Sequence, residues 1–240
     1  MLPSLFAAPT TRDRIGRVVV PVMVNGQGPF RFIVDTGANR STISPPHLVH
    51  ILGLTAALGS TVTVNGITGA AQTVYVVVDS LQAGDLLIDG TALPVVWAPV
   101  MAGADGILGA AGLPEKSLLI DFQRNRVEIA RHMDSFLRGQ SVRIHALSVS
   151  HGLLAVDARV GRTRVTAIID TGAERTLGNL ALRDALKMPR SRGVVTVTSV
   201  YGATEEVVRG EIARAPQITI VSLRITDVAV VYGDFHIFSV

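Results

Sequence analysis

The tripeptide Asp-Thr-Gly occurs twice in this chain, and each copy supplies a carboxyl group that can take part in acid–base chemistry. The two acids are Asp35 and Asp170, and each follows an apolar run and precedes Thr, Gly and Ala. Two unrelated turns are the simple alternative, but the shared flanking residues favour an internal repeat. If the repeat brings the carboxyl groups together, both cannot ionise easily, and the pair holds one proton. Such a pair can take a proton from water while its protonated member polarises a carbonyl group.

The elements around the two acids are also repeated. Residues 18–24 and 153–160 each predict a strand, followed by a turn and a second strand that ends at the Asp. Short helices are expected over 48–52 and over 180–186, the second of them directly after Asn179, a residue type that caps helices. Each half is therefore expected to form one lobe of similar construction.

The composition predicts a compact, mostly β protein. Of the 240 residues, 48% are hydrophobic, and short Val-rich runs alternate with Gly, Pro, Asn and Asp. No apolar run approaches the roughly 20 residues that a transmembrane helix needs. Residues 1–9 lack the basic start of a secretory signal, so they are either the remnant of a removed leader or a loose terminus. A periplasmic or secreted location would follow only from a removed leader, and the localisation stays open.

Several other functions are not favoured by the residues. The net charge of +3 comes with scattered Arg residues and no aromatic platform, so no nucleic-acid partner is expected. The chain has no cysteine, which excludes disulfide and thiol chemistry. His47 and His50 have a spacing that can hold a metal, but no third ligand lies nearby in sequence. We therefore expect neither a metal nor a cofactor.

The combined pattern resembles the aspartic proteases, and it is closer to the retropepsin branch than to pepsin. The resemblance rests on the two Asp-Thr-Gly-Ala motifs, the strand pair before each and the hairpin after each. Residues 104–109 are similar to the apolar-apolar-Gly segment that crosses behind the catalytic loop in this family, and 118–122 with 126–129 are similar to its closing hairpin. Retropepsins usually join two identical chains, whereas a tandem copy implies that one chain supplies both half-sites.

The resemblance implies an all-β, two-lobed pepsin/retropepsin-like acid protease fold. It divides the chain into an N-terminal extension, 1–16, a first lobe, 17–145, and a second lobe, 146–240, which is shorter at its C-terminal end. The implied function is that of an aspartic endopeptidase, with Asp35 and Asp170 as the catalytic pair and an extended polypeptide as the substrate. A non-catalytic peptide-binding or regulatory module on the same fold is the alternative, which the two intact acids argue against.

The resemblance also assigns supporting roles around the acids. Thr36 and Thr171 are expected to tie the two loops together through their hydroxyl groups. Gly37 and Gly172 allow a tight turn and a close approach of the backbone. The hairpin tips that would cover the substrate are expected at Gly66, Ile67, Tyr201 and Gly202, although Tyr201 can equally pack on a neighbouring strand.

The residues that follow the motifs differ from the family pattern. Arg40 and Arg175 occupy equivalent positions in the two halves and can bind a substrate carboxylate, but an ordinary ion pair with an acid such as Glu174 is favoured. The second half has no counterpart of 104–109, because only 233–240 follow its last predicted strand. Two expectations follow: the natural chain continues with such a segment, or a second copy fills the gap. The protein is accordingly expected to be a monomer with pseudo-twofold symmetry, or a dimer if another chain completes the second lobe.

Overall fold

The computed structural model describes residues 6–9, 11–44, 46–84, 86–97, 99–110, 117–121, 126–130, 144, 146–149, 152–187 and 196–239. Strands dominate, as the short Val-rich runs predict. In the first half they are β1 Phe6–Pro9, β2 Thr11–Arg12, β3 Val18–Val24, β4 Gln27–Asp35, β5 Thr42–Ile43, β6 Ala56–Asn65, β7 Ala70–Ala83, β8 Leu86–Pro94, β9 Gly106–Gly109, β10 Ser117–Asp121 and β11 Arg126–Ala130. In the second half they are β12 Leu147–Val149, β13 Leu153–Val160, β14 Thr163–Ile168, β15 Thr176–Asn179, β16 Val197–Tyr201, β17 Val207–Arg214, β18 Ile218–Ile220, β19 Leu223–Ile225 and β20 Ala229–Gly233.

The helices of the described residues are short. They are α1 Pro46–Ile51 and α2 Leu180–Ala185, together with 3-10 turns at Pro99–Met101 and His236–Phe238. The helix expected after Asn179 is present, and the Asn179 Oδ1 atom accepts a hydrogen bond of 2.8 Å from the Leu182 N–H. None of the helices in the described residues has the length and apolar character that a membrane crossing requires.

The first lobe is built on one eight-stranded sheet. Its order is β5-β9-β4-β3-β7-β6, with β2 beside β3 and β8 beside β7. Alternate residues of β3 and β4 point into one apolar core, which includes Val20, Val22, Phe32 and Val34. Leu108 of β9 joins the same core, so the strand that leads to Asp35 is covered by packed side chains.

The second lobe repeats these elements but divides them between two sheets. One sheet has the order β12-β13-β18-β19, with β14 beside β13, and the other has the order β15-β20-β17-β16. Its cores are smaller; one contains Val160, Val230 and Tyr232, and the other contains Val156 and Ala158.

The N-terminal segment takes part in the fold. Of the two interpretations of residues 1–9, a loose terminus does not fit residues 6–9, whereas residues 1–5 lie outside the described part of the chain. β1 pairs with β11 in antiparallel register from Phe6 opposite Ile129 to Pro9 opposite Arg126. β10 pairs with the other edge of β11, so the closing hairpin of the first lobe becomes a three-stranded sheet.

Candidate active site

Two strands deliver the candidate acids to equivalent places in the two lobes. Asp35 is the last residue of β4, and Asp170 follows the end of β14. The Asp35 Oδ1 atom accepts hydrogen bonds from the Gly37 N–H at 2.8 Å and the Ala38 N–H at 3.1 Å. The Asp170 Oδ1 atom does the same with the next Gly and Ala, at 2.8 and 3.0 Å. Each carboxyl group therefore closes its own turn, a role for which Asp is well suited.

The two threonines connect the loops, as the resemblance implies. The Thr36 hydroxyl donates to the Ile169 carbonyl oxygen at 2.7 Å, and the Thr171 hydroxyl donates to the Val34 carbonyl oxygen at 2.7 Å. Each hydroxyl also accepts a hydrogen bond from the opposite Thr N–H, at 3.1 and 3.2 Å. These four bonds hold the two Asp-Thr-Gly loops in a fixed relative position across the lobe junction.

Gly37 and Gly172 bring each loop against the other loop's acid. A Cβ atom added to Gly37 would lie 2.6 Å from both carboxyl oxygens of Asp170. A Cβ atom added to Gly172 would lie 2.6 Å from the Asp35 Oδ1 atom. Such distances are too short for real atoms, so only Gly lets the two carboxyl groups approach in this arrangement.

Burial and the neighbouring acid both alter the protonation of Asp35. Burial of Asp35, together with the charge of Asp170 and a hydrogen bond to it, raises the pKa of Asp35 to about 7. The N–H groups of Gly37 and Ala38 act in the opposite direction, because they stabilise the ionised form. The net effect favours one retained proton in the pair over a wide range of acidic pH.

Two hairpins extend over the paired acids and meet at their tips. The first, between β6 and β7, closes with a hydrogen bond of 2.8 Å from the Gly66 N–H to the Gly69 carbonyl oxygen. At the second tip, a Cβ atom on Gly202 would lie 2.6 Å from the Thr68 Oγ1 atom. The hydroxyl oxygens of Thr68 and Thr204 lie 3.1 Å apart, and both residues are buried.

A cavity of about 960 Å³ lies between the hairpins and the acids and continues into the second lobe. The structure brings all four hairpin-tip residues of the sequence analysis to its wall, together with the two acids and their following glycines. These residues are Asp35, Gly37, Gly66, Ile67, Asp170, Gly172, Tyr201 and Gly202. The Tyr201 side chain is 53% exposed, so it lines the cavity without being packed in a core.

The hairpin contact between Thr68 and Thr204 was not anticipated from the sequence. A signal was present, because each Thr stands two positions after a tip Gly. Arg175 forms the ordinary ion pair that the sequence analysis favoured: its Nε atom lies 3.7 Å from the Glu174 Oε1 atom at the surface. Arg40 is exposed at the cavity wall. The described residues contain no group of three or more His, Cys, Asp or Glu placed to hold a metal ion.

A pair of Asp-Thr-Gly loops at the junction of two β lobes, under two hairpins, defines the architecture of an acid protease. The sequence model of the aspartyl protease family matches residues 20–111 and 156–237, and the chain belongs to this family. Its fold is all-β and two-lobed, as the resemblance to the aspartic proteases implies. The two matched segments correspond to the two halves of the repeat, so the motif is carried in tandem.

A retropepsin-like aspartic protease from Rickettsia conorii has a solved structure to which this chain is similar. The sequence identity is 18%, the TM-score is 0.37, and the match covers 52% of this chain and 90% of the other. No curated protein matches the chain in sequence.

Proposed function

We propose that this family member is an active aspartic endopeptidase, and that a water molecule held between Asp35 and Asp170 is the nucleophile. The observation that carries the proposal is the mutual placement of the acids. Each carboxyl group lies against the other loop's Gly, and burial together with the charge of Asp170 raises the pKa of Asp35 to about 7. One ionised and one protonated carboxyl group are the two partners that hydrolysis of an amide needs.

The proton balance of the reaction follows from this pair. The ionised carboxylate takes a proton from water while the water oxygen forms a bond to the peptide carbonyl carbon. The protonated carboxyl group gives its proton to the carbonyl oxygen, which stabilises the developing charge. These two transfers leave a tetrahedral diol at the former carbonyl carbon. As the C–N bond breaks, one hydroxyl of this diol returns its proton to the ionised carboxyl group. The carboxyl group that took its proton from water then protonates the amine. The pair ends with the single proton with which it began. We assign this proton to the pair as a whole and not to either Asp.

The positions of the hairpins favour an extended substrate. A chain in the cavity would pass between the acids and the tips at Gly66 and Gly202, which both line it. Backbone groups at these tips can bind the main chain of a substrate, while alternate side chains occupy pockets on either side. Binding through the main chain does not require a free substrate terminus, which is the reason for proposing an endopeptidase.

The test is cleavage of a peptide library blocked at both termini, followed by mass spectrometry of the products. We expect internal cleavage by the wild type and at least about a 100-fold loss in Asp35→Asn and in Asp170→Asn, because the acids act as one unit. Asp89→Asn, an exposed acid on β8, is the matched control and is expected to retain activity. Binding of the same peptides without any cleavage would replace the proposal with the peptide-binding module.

One chain is proposed to supply the whole site. The loops joined by Thr36 and Thr171 both belong to the same molecule, which supports a monomeric enzyme with pseudo-twofold symmetry. Mass measurement in solution under assay conditions tests this proposal. Activity that increases with the square of protein concentration and follows a dimer peak would contradict it.

A further inference from the structure

Three arginines that are separated in the sequence lie in one row across the first sheet of the second lobe. Arg164 of β14 is directly opposite Arg159 of β13. Arg159 is opposite Thr219 of β18, and Thr219 is opposite Arg224 of β19. Directly opposite residues of antiparallel strands point to the same face of the sheet. Since neighbouring strands are about 4.8 Å apart, the row spans about 15 Å.

The row lies on the outer face of this sheet. Ala158 and Val160, the neighbours of Arg159 along β13, are buried in the two cores of the second lobe. Because successive residues of a strand point to opposite faces, the arginines point away from these cores, and all three are exposed. Arg162, in the turn between β13 and β14, is a fourth exposed arginine beside them. We call these four residues the basic face: Arg159, Arg162, Arg164 and Arg224.

The basic face is not neutralised by acids. Arg17 and Arg183 show that other arginines of this chain form ion pairs, with Asp13 and Glu211. No arginine of the basic face forms an ion pair with any described residue. Asp157 is the one acid in the sequence of β13, β14, β18 and β19. Four arginines less one acid leave this face with a net charge of +3.

This arrangement destabilises the protein when nothing is bound to it. Arg159 and Arg164 are like charges in directly opposite positions, and such pairs repel each other across a sheet. Thr219, which stands between Arg159 and Arg224, offers no compensating charge, and its hydroxyl accepts a hydrogen bond of 3.1 Å from the Gln217 amide. An anion bound over the row would remove the repulsion. The basic face therefore favours an anionic partner.

Aliphatic side chains at the edge of the basic face indicate which anionic partner fits. Val221, in the turn between β18 and β19, is 68% exposed, and Leu223, next to Arg224, is 43% exposed. A lipid surface offers phosphate groups to the arginines and acyl chains to these side chains. A nucleic acid offers phosphates as well, but the four strands contain no aromatic residue on which its bases could stack.

We propose that the basic face, with Val221 and Leu223 at its edge, binds the surface of a membrane that contains anionic phospholipids. The arginines contact the headgroup phosphates, and the turn at Val221 enters the boundary between headgroups and acyl chains. Attachment is peripheral and reversible, because a few charges and two aliphatic side chains give only weak binding. The proposal does not depend on the proposed proteolysis, so binding tests it separately from activity.

The test is sedimentation of the 240-residue protein with lipid vesicles. One set contains phosphatidylcholine alone, and the other contains about 30% phosphatidylglycerol as the anionic lipid. At low ionic strength, we expect binding to the anionic vesicles to be about 100-fold stronger, since each of three net charges contributes. In about 0.5 M salt this gain should disappear, because the charges are screened. Equal binding to the two sets, or no binding to either, would overturn the proposal.

Two triple variants of equal net charge locate the binding surface. The first removes the row: Arg159→Gln, Arg164→Gln and Arg224→Gln. The control replaces exposed arginines elsewhere: Arg14→Gln, Arg31→Gln and Arg209→Gln. We expect the first variant to bind anionic vesicles no better than neutral ones, and the control to keep most of the gain. Equal losses in the two variants would mean that net charge alone attracts the protein. If the first variant does not fold, the lipid and salt series on the wild type decides.

A further pair of variants separates lipid from nucleic acid. Val221→Ser is expected to weaken binding to anionic vesicles several-fold, because an aliphatic contact with the acyl chains is lost. Val77→Ser, at a 59% exposed position of the first lobe, is the matched control and should bind as the wild type does. A DNA duplex serves as the competing polyanion. Tighter binding of the duplex than of the anionic vesicles, or no effect of Val221→Ser on vesicle binding, would reject the lipid surface as the partner.

Discussion

Thr36 and Thr171 form a reciprocal set of hydrogen bonds, in which each hydroxyl donates to the strand before the other's motif and accepts from the other's N–H. The four bonds satisfy both hydroxyl groups, both Thr N–H groups and two carbonyl oxygens at a junction that is partly buried. It also makes the position of one acid depend on the other loop. The positions of the two carboxyl groups therefore depend on how the two lobes associate.

Removing one hydroxyl should damage both stability and activity. In Thr36→Val, the N–H of Thr171 and the carbonyl oxygen of Ile169 lose their partner, which costs about 1–3 kcal/mol of unfolding free energy. Urea unfolding of Thr36→Val and of Thr171→Val measures this cost. Thr36→Ser keeps the hydroxyl and is the control, expected to retain most of the stability. A loss of stability in Thr36→Ser with none in Thr36→Val would mean that the methyl group, not the hydrogen bonds, is responsible.

Gly37 and Gly172 should not tolerate a side chain. In Gly37→Ala, the new methyl group would overlap the Asp170 carboxyl group, so one of the acids must move. We expect kcat to fall at least about 100-fold, since small displacements of reacting groups have large effects. Ala38→Ser, at the next position of the same loop, is the comparison variant and should retain activity. A fully active Gly37→Ala enzyme would show that the acids are placed differently in the working state.

The raised pKa of Asp35 predicts how stability changes with pH. Ionised Asp35 is disfavoured in the folded protein, where its pKa is about 7, relative to the unfolded chain, where Asp ionises near about 3.9. The wild type should therefore lose stability as the pH rises from about 4 to about 7. Asp35→Asn removes this loss. The Tm of the variant minus the Tm of the wild type should therefore increase from about pH 4 to about pH 7 and stay constant above it. Asp89→Asn should show no such gain. A pH-independent difference for Asp35→Asn would contradict the assignment.

The same pKa predicts the shape of the activity profile. Catalysis by the pair requires one proton, and that proton is lost as the pH rises through about 7. We expect kcat/KM for a blocked peptide to be high in mildly acidic solution and to fall about tenfold per pH unit above 7. A substrate without titratable groups is needed, so that the profile reports the enzyme. A profile that rises above pH 7 would exclude a protonated carboxyl group as the acid.

The sequence alone was sufficient to predict the repeat, the two-lobed β fold and the loops at Asp35 and Asp170, because these depend on local motifs. The capped start of α2 was equally predictable, since Asn179 acts on its immediate neighbours. The pairing of β1 with β11 was not, because four residues carry too little pattern to specify a distant partner. The hairpin contact was missed for a different reason: each Thr stands two positions after its tip Gly, but that the two meet depends on how the two lobes pack together.

The tips of the two hairpins are in direct contact. The Thr68 and Thr204 hydroxyl groups form a buried hydrogen bond of 3.1 Å, which holds the tips together above the acids. Substrate must pass beneath these tips, so the tips must separate before a folded or bulky segment enters. In Thr68→Val, the Thr204 hydroxyl loses its partner, and the closed arrangement becomes less stable by about 1 kcal/mol.

A double-mutant cycle isolates this contact. Thr68→Val and Thr204→Val should each raise KM for an extended peptide several-fold, and the double variant should cost less than the sum of the two, because neither hydroxyl is then left unpaired. Thr61→Val, at an exposed position of β6 outside the cavity lining, is the matched control. Stopped-flow fluorescence of a label near Tyr201 can report tip opening, which should be faster in both single variants. Strictly additive effects on KM would show that the two tips act independently.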